Sequence, residues 1–91
     1  MTSKVLEFRG IPLHHLGMYF EELGAEKTAA NSLPHCYESS GWSAEILSEE
    51  LITFTPNFKI NAVKIRFDAE NEETLQELIK NFRYKTTRVG G

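Results

Sequence analysis

Three histidines and one cysteine are the side chains of this sequence best suited to metal binding or nucleophilic chemistry. They fall into two adjacent pairs, His14-His15 and His35-Cys36. Imidazole and thiolate both suit zinc, yet the spacing is wrong for it. Adjacent helical residues point about 100° apart, and adjacent strand residues point to opposite faces. Neither pair can chelate alone, and no CxxC or HxxxH spacing completes a site. The same geometry argues against a Cys36–histidine nucleophile, so Cys36 reads as a buried or idle thiol. The paired glutamates, Glu21-Glu22, Glu49-Glu50 and Glu72-Glu73, fall on helix surfaces or in turns, where a solvated face is the natural reading. Phosphate loop, dinucleotide fingerprint and nucleophile elbow are all missing. The expectation is a non-enzyme with no cofactor and no metal.

Two features could instead support binding. All thirteen acidic residues lie at or before Glu77, while Lys80, Arg83, Lys85 and Arg88 follow without a carboxylate among them. Such a basic strip suits an anionic protein partner or a small anionic metabolite, although cations at a helix end also complement its dipole. The second feature is Gly90-Gly91, the ending of ubiquitin-like carriers, whose terminal carboxylate is threaded into an activating enzyme. Glycine at a chain end is ordinary, however. Trp42, beside Gly41, reads as core before ligand platform.

The elements that must position these residues follow from periodicity. Leu6 and Phe8 alternate with Glu7 and Arg9, so Val5 to Arg9 predicts a half-buried strand. Gly10-Ile11-Pro12 breaks it, and Pro12 suits the first turn of a helix. Leu13, Leu16, Phe20 and Leu23 share one helical stripe, flanked by Tyr19. Gly17 lies at the stripe's other edge, where a missing side chain lets the helix approach a sheet closely. Gly24 ends that helix as its C′ residue. Residues 25–34 read as a loop closed by Pro34. Short strands are expected at His35–Glu38 and from Trp42 to Leu47, with a turn at Ser39-Ser40-Gly41. Ser48-Glu49-Glu50 reads as a turn into a strand over residues 51–55, which Pro56-Asn57 ends. Ile60 to Asp68 is the strongest strand. Asn71 predicts an N-cap for a second helix carrying Leu75, Leu78, Ile79 and Phe82 on one face, its period lost beyond Arg83.

The order is strand, helix, about four strands, helix. It predicts an α+β domain, β-α-β(4)-α, with one antiparallel sheet and both helices on one face. The nearest alternative is a ferredoxin-like sheet, which needs residues 84–89 to form an edge strand. A ubiquitin-like β-grasp opens on a hairpin before its helix, in disagreement with this order. Ninety-one residues give one domain spanning 1–91. With 41% hydrophobic and 25% charged residues the chain reads as globular. A single cysteine and no signal-like apolar run point to the cytoplasm, and no run approaches a membrane span. The net charge of −3 argues against general nucleic-acid binding.

Residues 8–24, Gly41-Trp42-Ser-Ala-Glu-Ile46, residues 62–67 and Arg88-Val-Gly-Gly91 together resemble the C-terminal domain of bacterial MoaD-related proteins. The resemblance runs from Val5 onward. It implies a TATA-binding-protein-like or helix-grip fold and a link to molybdopterin biosynthesis. In fused members of that family a sulfur-carrier domain precedes this one; the present sequence does not contain it. The resulting expectation is an accessory or binding module. A covalent carrier using the Gly91 carboxylate is the first alternative. A small-ligand binder is the second, since helices gripping a sheet can leave a pocket.

Overall fold

The computed structural model describes residues 1–28 and 34–90, with backbone alone at positions 54 and 88–90. The chain runs β1 (Thr2–Arg9), α1 (Leu13–Glu22), β2 (Glu26–Lys27), β3 (His35–Ser39), β4 (Trp42–Thr55), β5 (Phe58–Ala69) and α2 (Glu72–Gly90). The five strands form one sheet in the order β1-β5-β4-β3-β2, and every pairing is antiparallel. This is the expected α+β class with a single strand ahead of the first helix. Residues 84–89 are helical and not an edge strand, which removes the ferredoxin-like alternative.

Strand alternation selects the covered face. Leu6 and Phe8 of β1, Tyr37 of β3, Ala44 and Ile46 of β4, and Val63, Ile65 and Phe67 of β5 meet Leu16, Tyr19 and Phe20 of α1 and Leu75, Leu78 and Phe82 of α2 in one core. Both helices therefore lie on the same face of the sheet. Its centre is aromatic: Phe20 and Phe82 stack with centroids 4.3 Å apart, and Phe82 meets Phe8 at 5.2 Å and Phe67 at 5.4 Å. The open face carries a polar row, in which Cys36 Sγ donates to Glu45 at 3.4 Å and Arg66 pairs with Glu45 and Asp68.

Local chemistry sets the helix ends. Pro12 sits one position ahead of the expected first turn, with ψ 140°, as the N-cap of α1. Its carbonyl accepts the amides of His15 and Leu16. At the other end Gly24 takes φ +103°, while its amide donates to the Glu21 carbonyl and that of Ala25 to the Phe20 carbonyl. This pair of bonds is a Schellman cap, which needs a left-handed residue at C′. Asn71 Oδ1 accepts the Thr74 amide at 2.8 Å, the N-cap that the sequence predicts.

Strands β1 and β5 start at Thr2 and Phe58, ahead of the expected Val5 and Ile60, and three larger differences follow. Ser48-Glu49-Glu50 does not turn: β4 runs straight through, because Leu47 is an extra residue in the ladder between the Ile46↔Ile65 and Ser48↔Lys64 pairs. A bulge of this kind shifts the side-chain phase, so the covered face passes from Ala44 and Ile46 to Glu49 and Leu51. Within the expected loop, Glu26-Lys27 pair with Tyr37 and Glu38 of β3. Helix α2 also continues to Gly90. Thr86, four residues past Phe82, is 9% exposed, and its hydroxyl donates to the Arg83 carbonyl at 2.8 Å. A buried threonine thus keeps the stripe going where hydrophobicity alone ends.

Candidate functional site

Helix α2 is charged in two halves. Glu72, Glu73 and Glu77 occupy its N-terminal part, and Lys80, Arg83 and Lys85 follow, an arrangement the helix dipole favours at both ends. The expected basic strip does not stay together. Lys85 lies on the side facing α1 and donates to Glu22 at 2.7 Å, its side chain only 20% exposed, so it clamps the two helices. The side chain of Arg88 and the whole of Gly91 lie outside the described residues, and Gly90 is described only as the last helical residue. Lys80 and Arg83 lie on the side of α2 that borders β1.

There they gain neighbours that the strip alone does not predict. Arg83 lines a cleft of about 570 Å³ with Arg9, Gly10, Thr86 and Thr87. Lys80 lines an adjoining edge cleft of about 280 Å³ with Lys4, Glu72 and Gln76. Four cations from two elements therefore border the β1–α2 edge. Arg9 is held by Glu7 at 2.7 Å, and Glu72 accepts from Thr2 and Gln76. Among the described residues Lys4, Lys80 and Arg83 have no ion-pair partner. The sequence did carry a signal for Lys4: it is in phase with Leu6 and Phe8, so it shares the helix-covered face.

His14 and His35, one from each chemistry-bearing pair of the sequence, line one cleft of about 210 Å³ together with Glu21 and Lys27. His14 and His15 rings meet edge-on at 4.4 Å, and no group of three potential ligands occurs among the described residues. Burial, followed by hydrogen bonding to Glu45, pushes the Cys36 thiol above its usual range, which disfavours the thiolate. Burial and then Lys27 push His35 below its ordinary 6.5. Among the described residues, the buried Tyr19 Oη and His15 Nδ1 find no hydrogen-bond partner. Burial first, then Glu22, raises the Tyr19 hydroxyl's pKa.

Residues 4–91 match the family model described as archaeal MoaD-like protein. The chain belongs to the archaeal MoaD-like family. That match covers almost the whole sequence and supports the MoaD relationship expected from residues 8–24 and 41–46, under an archaeal heading where the resemblance pointed to bacterial proteins. No curated protein matches the chain. No helix among the described residues is long and apolar enough to cross a membrane.

Proposed function

We propose that this member of the archaeal MoaD-like family is a non-catalytic accessory module of molybdopterin or sulfur-carrier biosynthesis, which holds an anionic partner at the β1–α2 edge. The partner is an acidic protein surface or a small anionic metabolite. The observation that carries the reading is Arg83, a guanidinium without an ion pair among the described residues, lining a cleft of about 570 Å³ with Arg9. A planar guanidinium is suited to carboxylate and phosphate oxygens, and Lys80 and Lys4 extend the positive field along the same edge.

The carrier alternative draws support from a family match that includes Gly90-Gly91. Weighing against it, α2 stays helical through Gly90, whereas threading into an activating enzyme needs an extended tail. The test uses inorganic pyrophosphate as the probe anion, with amide shifts as the readout. Saturable shifts are expected at Lys4, Arg9, Arg83 and Thr87, weakening with salt and lost in Lys80→Glu/Arg83→Glu. Deleting Gly90-Gly91 is expected to leave them unchanged. Unsaturable shifts, or shifts unaffected by the charge reversal, would refute the edge site. A thiocarboxylate mass on Gly91 in protein from its own cells would instead establish the carrier.

A further inference from the structure

On the opposite side of α2 the charge is reversed. Trp42, at the start of β4, is half-buried and touches the core through Phe20, with centroids 6.1 Å apart. Its other surface lines two clefts. One, of about 440 Å³, lies against α2 and α1 and is bordered by Glu73, Glu77 and Leu78. The second, of about 320 Å³, lies over the β3–β4 turn and is bordered by Glu38 and Glu70. The indole therefore forms a ridge between two acidic clefts.

Five carboxylates line the two clefts: Asp68 is held by Arg66, while among the described residues Glu38, Glu70, Glu73 and Glu77 are in no ion pair. They are also not grouped closely enough for a metal ion, so the complementary ligand must carry its positive charges apart. Glu73 and Glu77 are four residues apart on one helix edge. Leu23, the C-cap residue of α1, also lines that cleft, and a helix C-terminus is electronegative. An exposed indole edge with apolar neighbours and a carboxylate rim is the anatomy of a protein-binding anchor.

We infer that Trp42 and the carboxylates on either side form a docking site for an extended basic segment of a partner protein. An apolar side chain of that segment lies against the indole, and an arginine or lysine enters each flanking cleft. Arginine is favoured because its guanidinium can stack on the indole face while donating to a carboxylate. This site is separate from the basic β1–α2 edge and does not rest on it.

Trp42 is the only tryptophan, so its emission reads the site directly in the full chain. The probe is a blocked Arg-Leu-Arg-Leu-Arg peptide, with Glu-Leu-Glu-Leu-Glu as its control. The basic peptide is expected to shift Trp42 emission saturably, and the acidic one to leave it unchanged. Glu73→Gln/Glu77→Gln, both on an exposed helix edge, should weaken binding by roughly fivefold or more, as expected from losing two exposed charge contacts. Added salt should weaken it further. No emission change with the basic peptide, equal binding of both peptides, or unaltered affinity in the double glutamine variant would each overturn the assignment.

Discussion

Replacing Gly17 by alanine sets two known effects against each other, and the structure decides which wins. Glycine is worse than alanine in a helix interior by about 1 kcal/mol, so the change alone should stabilise α1. But a β-carbon built at Gly17 would collide with the Tyr37 hydroxyl and stand 3.2 Å from its ring carbon Cζ. Tyr37 cannot easily retreat: it is 4% exposed, and its ring stacks on Phe20 at 5.2 Å. Forcing a methyl group into such a contact costs roughly 1–3 kcal/mol. Because the nearest atom is a buried phenol oxygen, the upper part of that range applies, leaving a net loss of about 1–2 kcal/mol. Urea unfolding followed by Trp42 emission should show the midpoint falling by roughly 1 M, given a slope of about 1–3 kcal/mol/M for small domains. In a Tyr37→Phe background the colliding oxygen is gone, and the same Gly17→Ala change should become close to neutral. A Gly17→Ala protein as stable as the parent would refute the close approach of α1 to β3. Equal losses in both backgrounds would show that the phenol is not its cause.

Other perturbations follow from the same packing. Phe82→Ala removes the ring on which Phe8, Phe20, Tyr19 and Phe67 all converge, and should cost about 3–5 kcal/mol. A native-like denaturation curve would show the α2 face is not buried. Tyr19→Phe deletes a buried hydroxyl that has no partner among the described residues. It should leave stability unchanged or raise it, by up to about 1 kcal/mol, and a clear fall in melting temperature would reveal a bond the hydroxyl makes in solution. His35 has its folded pKa held below the ordinary 6.5, so the unfolded chain takes up the proton first. Its contribution to stability is present above pH 6.5 and lost as pH falls toward the folded value. His35→Gln should flatten the acid side of the urea-midpoint profile, and an unchanged profile would remove His35 as the cause.

Much of the fold was legible because the signals were local. Gly24 must adopt positive φ for the cap that it makes, Asn71 carries its own capping oxygen, and the alternation from Val63 to Phe67 marks the covered face without reference to other strands. What escaped the sequence depends on partners distant in the chain. The Leu47 bulge interrupts the alternation of β4 and so imitates a turn, yet the ladder with β5 carries the strand past it. Glu26-Lys27 become a strand only because β3 offers an edge. Thr86 looks like a polar end to the stripe and is buried all the same.

The same distinction governs the candidate sites. Read along the chain, Lys80, Arg83, Lys85 and Arg88 form one strip, but a helix turns successive residues by about 100°. Lys85 is therefore carried round to Glu22 while Lys80 and Arg83 stay beside β1. The cations that join them, Lys4 and Arg9, come from the opposite end of the sequence. Trp42 shows the converse. Its packing on Phe20 agrees with the core role expected of an aromatic, but its position at the start of β4, between the β3–β4 turn and α2, leaves the other surface bordered by glutamates from separate elements. Charge sorted along α2 by its dipole thus becomes charge sorted across the molecule: cations border the β1 side, carboxylates border the Trp42 side, and the Lys85–Glu22 pair fastens the two helices between them. A partner approaching the basic edge and one approaching the indole would meet fields of opposite sign, so one molecule could hold both without competition.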